Sequence, residues 1–126
     1  MKLVLLAAAG GALGSSARYL VNIGAGKLLG MGFPWGTLIV NIAGCFIMGV
    51  LVGLGAHRLT LSDEARVFMA TGILGGFTTF SAFSADFALL FGRKHFGYAA
   101  LYLTGSVGLS LLAVFAGLYL IRSWQT

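Results

Sequence analysis

The run Gly72-Ile73-Leu74-Gly75-Gly76-Phe77-Thr78-Thr79-Phe80-Ser81 places three glycines and three hydroxyls inside an otherwise apolar stretch. Each glycine weakens a helix by about 1 kcal/mol relative to alanine. In lipid, any backbone group freed by a break must find a partner in protein, ion or water. Freed carbonyl oxygens suit a hard cation, and two antiparallel copies meeting at such a break would form a symmetric cage. The same residues also suit a continuous helix, because Gly72 and Gly76 make the small-xxx-small pattern of close membrane helix contacts. The residues alone leave both readings open.

Beyond the glycines, Phe80, Phe83, Ser84 and Phe87 follow at spacings of three and four, which collects rings and a hydroxyl on one helical face. Aromatic rings carry a positive edge, so rings presented edge-on can favour an anion, although such rings also pack or face lipid. Two further stripes have a spacing of four: Thr37 and Asn41, then Tyr102, Ser106 and Ser110. Hydroxyls and a side-chain amide can donate to a dehydrated anion, or can bond between helices. Asn41 needs partners for both ends of its amide if it is buried.

Arg18 and Asp86 are charges within apolar segments, where a charge costs at least about 2.5–3.5 kcal/mol at the helix centre. Arg18 can draw anions into a vestibule or snorkel to the interface; Asp86 can pair with a basic residue or meet an aqueous opening. Cys45 is the single cysteine, which leaves no disulfide framework, and as a small apolar residue it reads as packing. His57 and His95 stand near basic residues and read as solvated loop side chains.

The elements that position these groups follow from composition. The 126 residues are 59% hydrophobic and 9% charged, with a mean hydropathy of +0.98, so water is not the main solvent of this chain. About 20 apolar residues cross a bilayer. The pattern predicts four transmembrane helices in one domain over 1–126: about Leu3 to Ile23, Phe33 to Ala56, Val67 to Phe91, and Tyr98 to Ile121. The start has a faint look of a signal peptide, but its apolar core is very short and it is expected to be the first span. A Gly-rich break is expected from Gly24 to Gly32, a polar loop from His57 to Arg66 with Ser62 as a helix cap, and a turn at Gly92-Arg93-Lys94-His95.

The net charge of +5 is scattered, with no aromatic-interleaved basic patch, which argues against a nucleic-acid partner. With both termini on one side, that side carries Lys2, Arg58, Arg66 and Arg122, and the other Lys27, Arg93 and Lys94. So small a bias permits insertion both ways and an antiparallel pair, although a single charge can also suffice to orient a chain.

The segment Gly75-Gly76-Phe77-Thr78-Thr79-Phe80-Ser81-Ala82-Phe83-Ser84 resembles the signature of the Fluc (also called CrcB) fluoride channels. The likeness extends through Gly10-Gly11-Ala12-Leu13-Gly14 with Arg18-Tyr19, Pro34-Trp35-Gly36-Thr37-Leu38 with Asn41, and the polar stripe of the fourth segment. The resemblance implies an all-α, dual-topology antiparallel homodimer in the bacterial inner membrane. It also implies two pores that pass fluoride out of the cytoplasm down its gradient, relieving its toxicity, with no enzymatic chemistry. It implies that Phe80 and Phe83 line the fluoride path, with Asn41 beside them, Tyr102, Ser106 and Ser110 as a hydroxyl track, and Thr37 as a weaker member. It further implies a structural, untransported sodium ion on the carbonyls of Gly75 and Thr78. Ala82 departs from the family's usual threonine or serine. A small multidrug exporter shares the size and dual topology but needs a carboxylate in the first helix, where this chain has Arg18. A non-transporting assembly subunit would leave the third segment's composition unexplained.

Overall fold

A computed structural model describes residues 1–57 and 61–124, and among them the chain is entirely helical. Helices α1 (Lys2–Leu29) and α2 (Trp35–His57) are followed by α3 (Asp63–Arg66), a π-helical segment (Val67–Leu74) and α4 (Gly75–Phe77). After a break at Thr78 and Thr79 come α5 (Phe80–Gly92) and α6 (Phe96–Trp124). Four stretches are long and apolar enough to cross a membrane: Lys2–Leu29, Trp35–Gly55, Asp63–Gly92 and Phe96–Trp124. The third is the broken one. The charge count at the second connection includes Arg58, which lies outside the described residues, and nothing is shown of the His57 side chain.

Two connections are shorter than the sequence suggests. The first helix runs through Gly24 and Gly26 and stops only at Gly30, whose φ of 86° is in the left-handed region open to glycine. Its amide still donates to Gly26 O at 3.1 Å. The expected break at 24–32 is therefore confined to its end, because a helical glycine costs less than an unpaired backbone group in an apolar setting. Likewise Asp63–Arg66 are helix rather than loop. Ser62 caps them as expected, its Oγ accepting from the Ala65 amide at 3.1 Å, and Asp63 and Glu64 complement the positive end of the helix. Arg66 bonds back to Asp63 at 2.7 Å and Lys2 pairs with Glu64 at 3.7 Å. The latter pair marks the start of α1 and the start of α3 as lying at the same end. The turn after Gly92 is as read from the sequence, with Lys94 at φ 61° and the His95 amide donating to Leu90 O at 2.9 Å.

Small residues set the packing. The π-helical segment lies against α1, and α2 lies along α6. A Cβ on Gly76 would come within 2.6 Å of Gly11 O, and one on Gly72 within 2.9 Å of Gly10 Cα. The small-xxx-small contact expected for Gly72 and Gly76 therefore coexists with the break. On the other pair, a side chain at Gly49 would collide with the Val114 carbonyl, and one at Gly117 with that of Phe46. The compact apolar centre is Leu38, Phe83, Leu90, Ala99 and Tyr102. Most other large apolar side chains face outward, as expected where lipid is the solvent.

A methyl group on Gly14 would strike the Ile73 carbonyl and lie 2.8 Å from the Phe77 amide nitrogen, both rigid backbone. Gly14→Val is expected to destabilise by at least the about 1–3 kcal/mol typical of overpacking, seen as earlier thermal loss of the monodisperse species in detergent. Gly24→Ala, where nothing beyond the surrounding helix backbone and adjacent residues lies within 4 Å of the added carbon, should leave that profile unchanged or improved.

Candidate functional site

The break in the third span is held open from outside it. The last helical bond before the break runs from the Thr78 amide to Leu74 O at 2.9 Å. Thr78 Oγ1 donates to the same carbonyl at 2.8 Å. In a continuous helix the next amide, that of Thr79, would donate to Gly75 O. Instead it donates to Asn41 Oδ1 at 2.8 Å, and Asn41 Nδ2 donates to Thr79 O at 3.1 Å. Both ends of the Asn41 amide are thus used on one backbone unit of another helix. Thr79 is extended, at φ −156° and ψ 126°. Its Oγ1 caps α5 by accepting from the Ala82 amide at 3.1 Å, and that amide would otherwise have served Thr78 O.

Four carbonyls, those of Gly75, Gly76, Phe77 and Thr78, therefore lose the donors that a continuous helix would give them. One of them, Gly76 O, accepts from Arg18 Nε at 3.0 Å. Arg18, expected at a vestibule, reaches into the break with one of its five N–H groups. No cluster of three or more His, Cys, Asp or Glu occurs among the described residues. Backbone oxygens are the hard-cation donors at the break, and their chemistry fits sodium.

Beyond the break, α5 presents Phe80 and Phe83, with ring centroids 5.5 Å apart and planes inclined at 46°. They line an open-sided groove of about 310 Å³ together with Asn41, Cys45, Ser106 and Ser110. Phe83 is buried, whereas Phe80 is 77% exposed, so the described residues leave the groove open on the side of Phe80. The Oγ atoms of Ser106 and Ser110 are buried and have no hydrogen-bond partner. Most buried polar groups are paired, and an orphaned one costs about 1–3 kcal/mol. The two lie one helical turn apart on the same wall of the groove.

Of the residues singled out from the sequence, the fold brings Asn41, Phe80, Phe83, Ser106 and Ser110 to this groove, with Thr78 at its edge. Tyr102 stands apart from it. Its ring is fully buried and lies 5.1 Å from that of Phe83, while its hydroxyl donates to Asp86 Oδ2 at 3.0 Å. Asp86 so takes a phenol rather than a basic partner. It lines a second, more polar cavity of about 420 Å³ with Thr37, Asn22 and Arg93. Phe83 lines the first space, and Tyr102, packed on it, bonds to Asp86 at the wall of the second. His95 is exposed and its ring lies 6.2 Å from that of Tyr98.

The roles of Thr79 and Cys45 were not legible in the sequence. For Thr79 a signal existed, since threonine directly ahead of an apolar helical pattern is a frequent N-cap. Cys45 shares the groove only because α2 repeats the face of Asn41 one turn later.

Residues 5–118 match the family model described as CrcB-like protein, Camphor Resistance (CrcB). The chain belongs to the CrcB family. It is 54% identical over 123 residues to a protein of Rhodospirillum centenum named fluoride-specific ion channel FluC, with 98% of each chain covered. Proteins of the same name from Agrobacterium fabrum and Nitrobacter winogradskyi are 53% and 52% identical. The matches cover 95% and 94% of this chain and 96% and 94% of those relatives. The likeness to CrcB relatives therefore spans all four membrane-crossing stretches, including the break.

Replacing Asn41 removes both partners of the Thr79 peptide unit. Asn41→Leu is expected to lower stability by about 2 kcal/mol or more, at about 1–3 kcal/mol per buried unpaired group. It should also speed hydrogen exchange at the Thr79 amide, measured by NMR or mass spectrometry. Asn41→Asp keeps an acceptor for that amide and should protect it better than leucine does.

Proposed function

We propose that this chain is a fluoride-selective channel of the cell membrane, passing fluoride passively out of the cytoplasm and lowering its toxicity. The observation that carries the reading is the groove lined by two phenylalanine rings and by two buried, unpartnered serine hydroxyls. Fluoride is small and strongly hydrated, and a path for it must replace water with donors while holding the ion weakly enough to release it. Ring edges of Phe80 and Phe83, hydroxyls of Ser106 and Ser110, and the second N–H of Asn41 Nδ2 supply such weak donors in series. Thr37 and Asp86, the latter held by the Tyr102 hydroxyl, add polar groups to the second cavity. The first amides of α5 add the positive end of a helix beside Phe80. Arg18 adds a positive charge next to the break. A channel of this kind makes and breaks no covalent bond, so the protein is not an enzyme.

The working unit is an antiparallel homodimer with two pores. The support is local: the described residues leave the groove open on the side of Phe80, Phe80 and Gly75 are exposed at mid-span, and lysine and arginine are nearly balanced between the two sides. Membrane lipid covers the remaining apolar surface. The carbonyls of Gly75 and Thr78, relieved of their helical donors, hold a structural sodium ion between the two copies. When bound, that ion supplies positive charge that satisfies the freed oxygens, and it does not travel with fluoride.

Purified protein reconstituted into liposomes loaded with fluoride or with chloride tests this directly with an ion-selective electrode. Fluoride release without chloride release, and without an imposed proton gradient, is the expected result; folded dimers that release no fluoride would overturn it. With each ring's contact to the anion taken as comparable to an aromatic pair, about 0.5–1.5 kcal/mol, Phe80→Ile and Phe83→Ile should each slow efflux by about two- to tenfold with the dimer intact.

A further inference from the structure

We infer that the Cys45 thiol forms part of the groove wall and is the point at which a soft, thiol-directed reagent closes the pathway. This inference rests on the channel function proposed above. Cys45 lies on α2 one turn from Asn41 and lines the same groove as Phe80, Phe83, Ser106 and Ser110. It is half-buried and forms no disulfide. A single cysteine would carry nothing alone, but the space it faces is built to receive a guest. Ser106 is 5% exposed with its Oγ unpartnered, and the Oγ of Ser110 is in the same condition.

The chemistry that suits the site is that of a neutral organomercurial, because sulfur is a soft ligand and a neutral apolar reagent can enter from the lipid side. With phenylmercuric acetate, the sulfur of Cys45 attacks mercury and an S–Hg bond forms. The Hg–O bond breaks with its electron pair passing to acetate, and the thiol proton leaves with it as acetic acid. Nothing is oxidised or reduced. Space permits the adduct: an apolar cavity of about 150 Å³ accepts benzene, and this groove measures about 310 Å³. The bound phenyl group would lie between the rings on α5 and the hydroxyls on α6, separating the two sets of donors that the path requires. Because the sequence contains one cysteine, any mercury bonded to a thiolate sulfur is on Cys45.

The test uses the dimer reconstituted in fluoride-loaded liposomes. Intact-mass spectrometry after exposure to phenylmercuric acetate should show one phenylmercury group per chain. Efflux should fall to the leak of protein-free liposomes, and dithiothreitol should restore it by removing the mercury. Cys45→Ser and Cys45→Ala should each keep their own starting rate in the reagent. Full mercuration with unchanged efflux would overturn the inference, as would a folded protein that takes no mercury while the detergent-unfolded chain takes one. Equal inhibition of the two variants would also overturn it, by placing the reagent's action elsewhere. An absence of fluoride efflux before any reagent is added would instead overturn the channel function itself, and the mass measurement would still decide whether the groove admits the reagent.

Discussion

One side chain holds two hydrogen bonds on which the rest of this structure depends. Asn41 accepts from the Thr79 amide and donates to the Thr79 carbonyl, at 2.8 and 3.1 Å, and so occupies the peptide unit that would otherwise continue the third helix. In a lipid setting an unpaired peptide group is costly, and a chain left to itself closes the helical bond. The break persists because a neighbouring helix supplies the replacement partners with matched geometry. The Thr79 hydroxyl then caps the second half-helix, and Thr78 closes the first through both its amide and its hydroxyl. Each half thus ends with its own cap.

A broken helix creates two opposite poles in one place. The first half ends in carbonyls and carries partial negative charge; the second begins with amides and carries partial positive charge. The Arg18 guanidinium on Gly76 O belongs to the negative pole, as would a cation on Gly75 and Thr78. The phenylalanine edges and serine hydroxyls stand beside the positive one. Sites for a fixed cation and for a passing anion can therefore lie within a few residues of each other, because the peptide dipoles diverge at the break.

Close helix contact is what permits this arrangement. Gly10 and Gly14 of α1 lie against the backbone of the π-helical segment and its continuation, and Gly44 of α2 lies against the Thr78 side chain. Larger side chains at these positions would push α1 and α2 away from the break and move Arg18 and Asn41 out of reach. The glycines thus act on function through distance. They set how near the two polar side chains come to the third span.

Composition and hydrophobic patterning by themselves determined that this is a four-span membrane protein, since burying so apolar a chain needs lipid and about 20 residues cross it. Helical spacing also determined which residues share a face: Ser106 with Ser110, Phe80 with Phe83, Ser62 as a cap. Local pattern could not decide whether Gly72–Ser81 breaks, because the same glycines serve a kink or a packing face. That choice was made by Asn41, 38 positions away along the chain. Nor could spacing separate Tyr102 from the serines of its own stripe. Only the packing of α5 against α6 turned its hydroxyl to Asp86 and left the two serine hydroxyls without partners. Such pairings depend on distances between helices, and these are decided by side-chain volume at contacts remote in sequence.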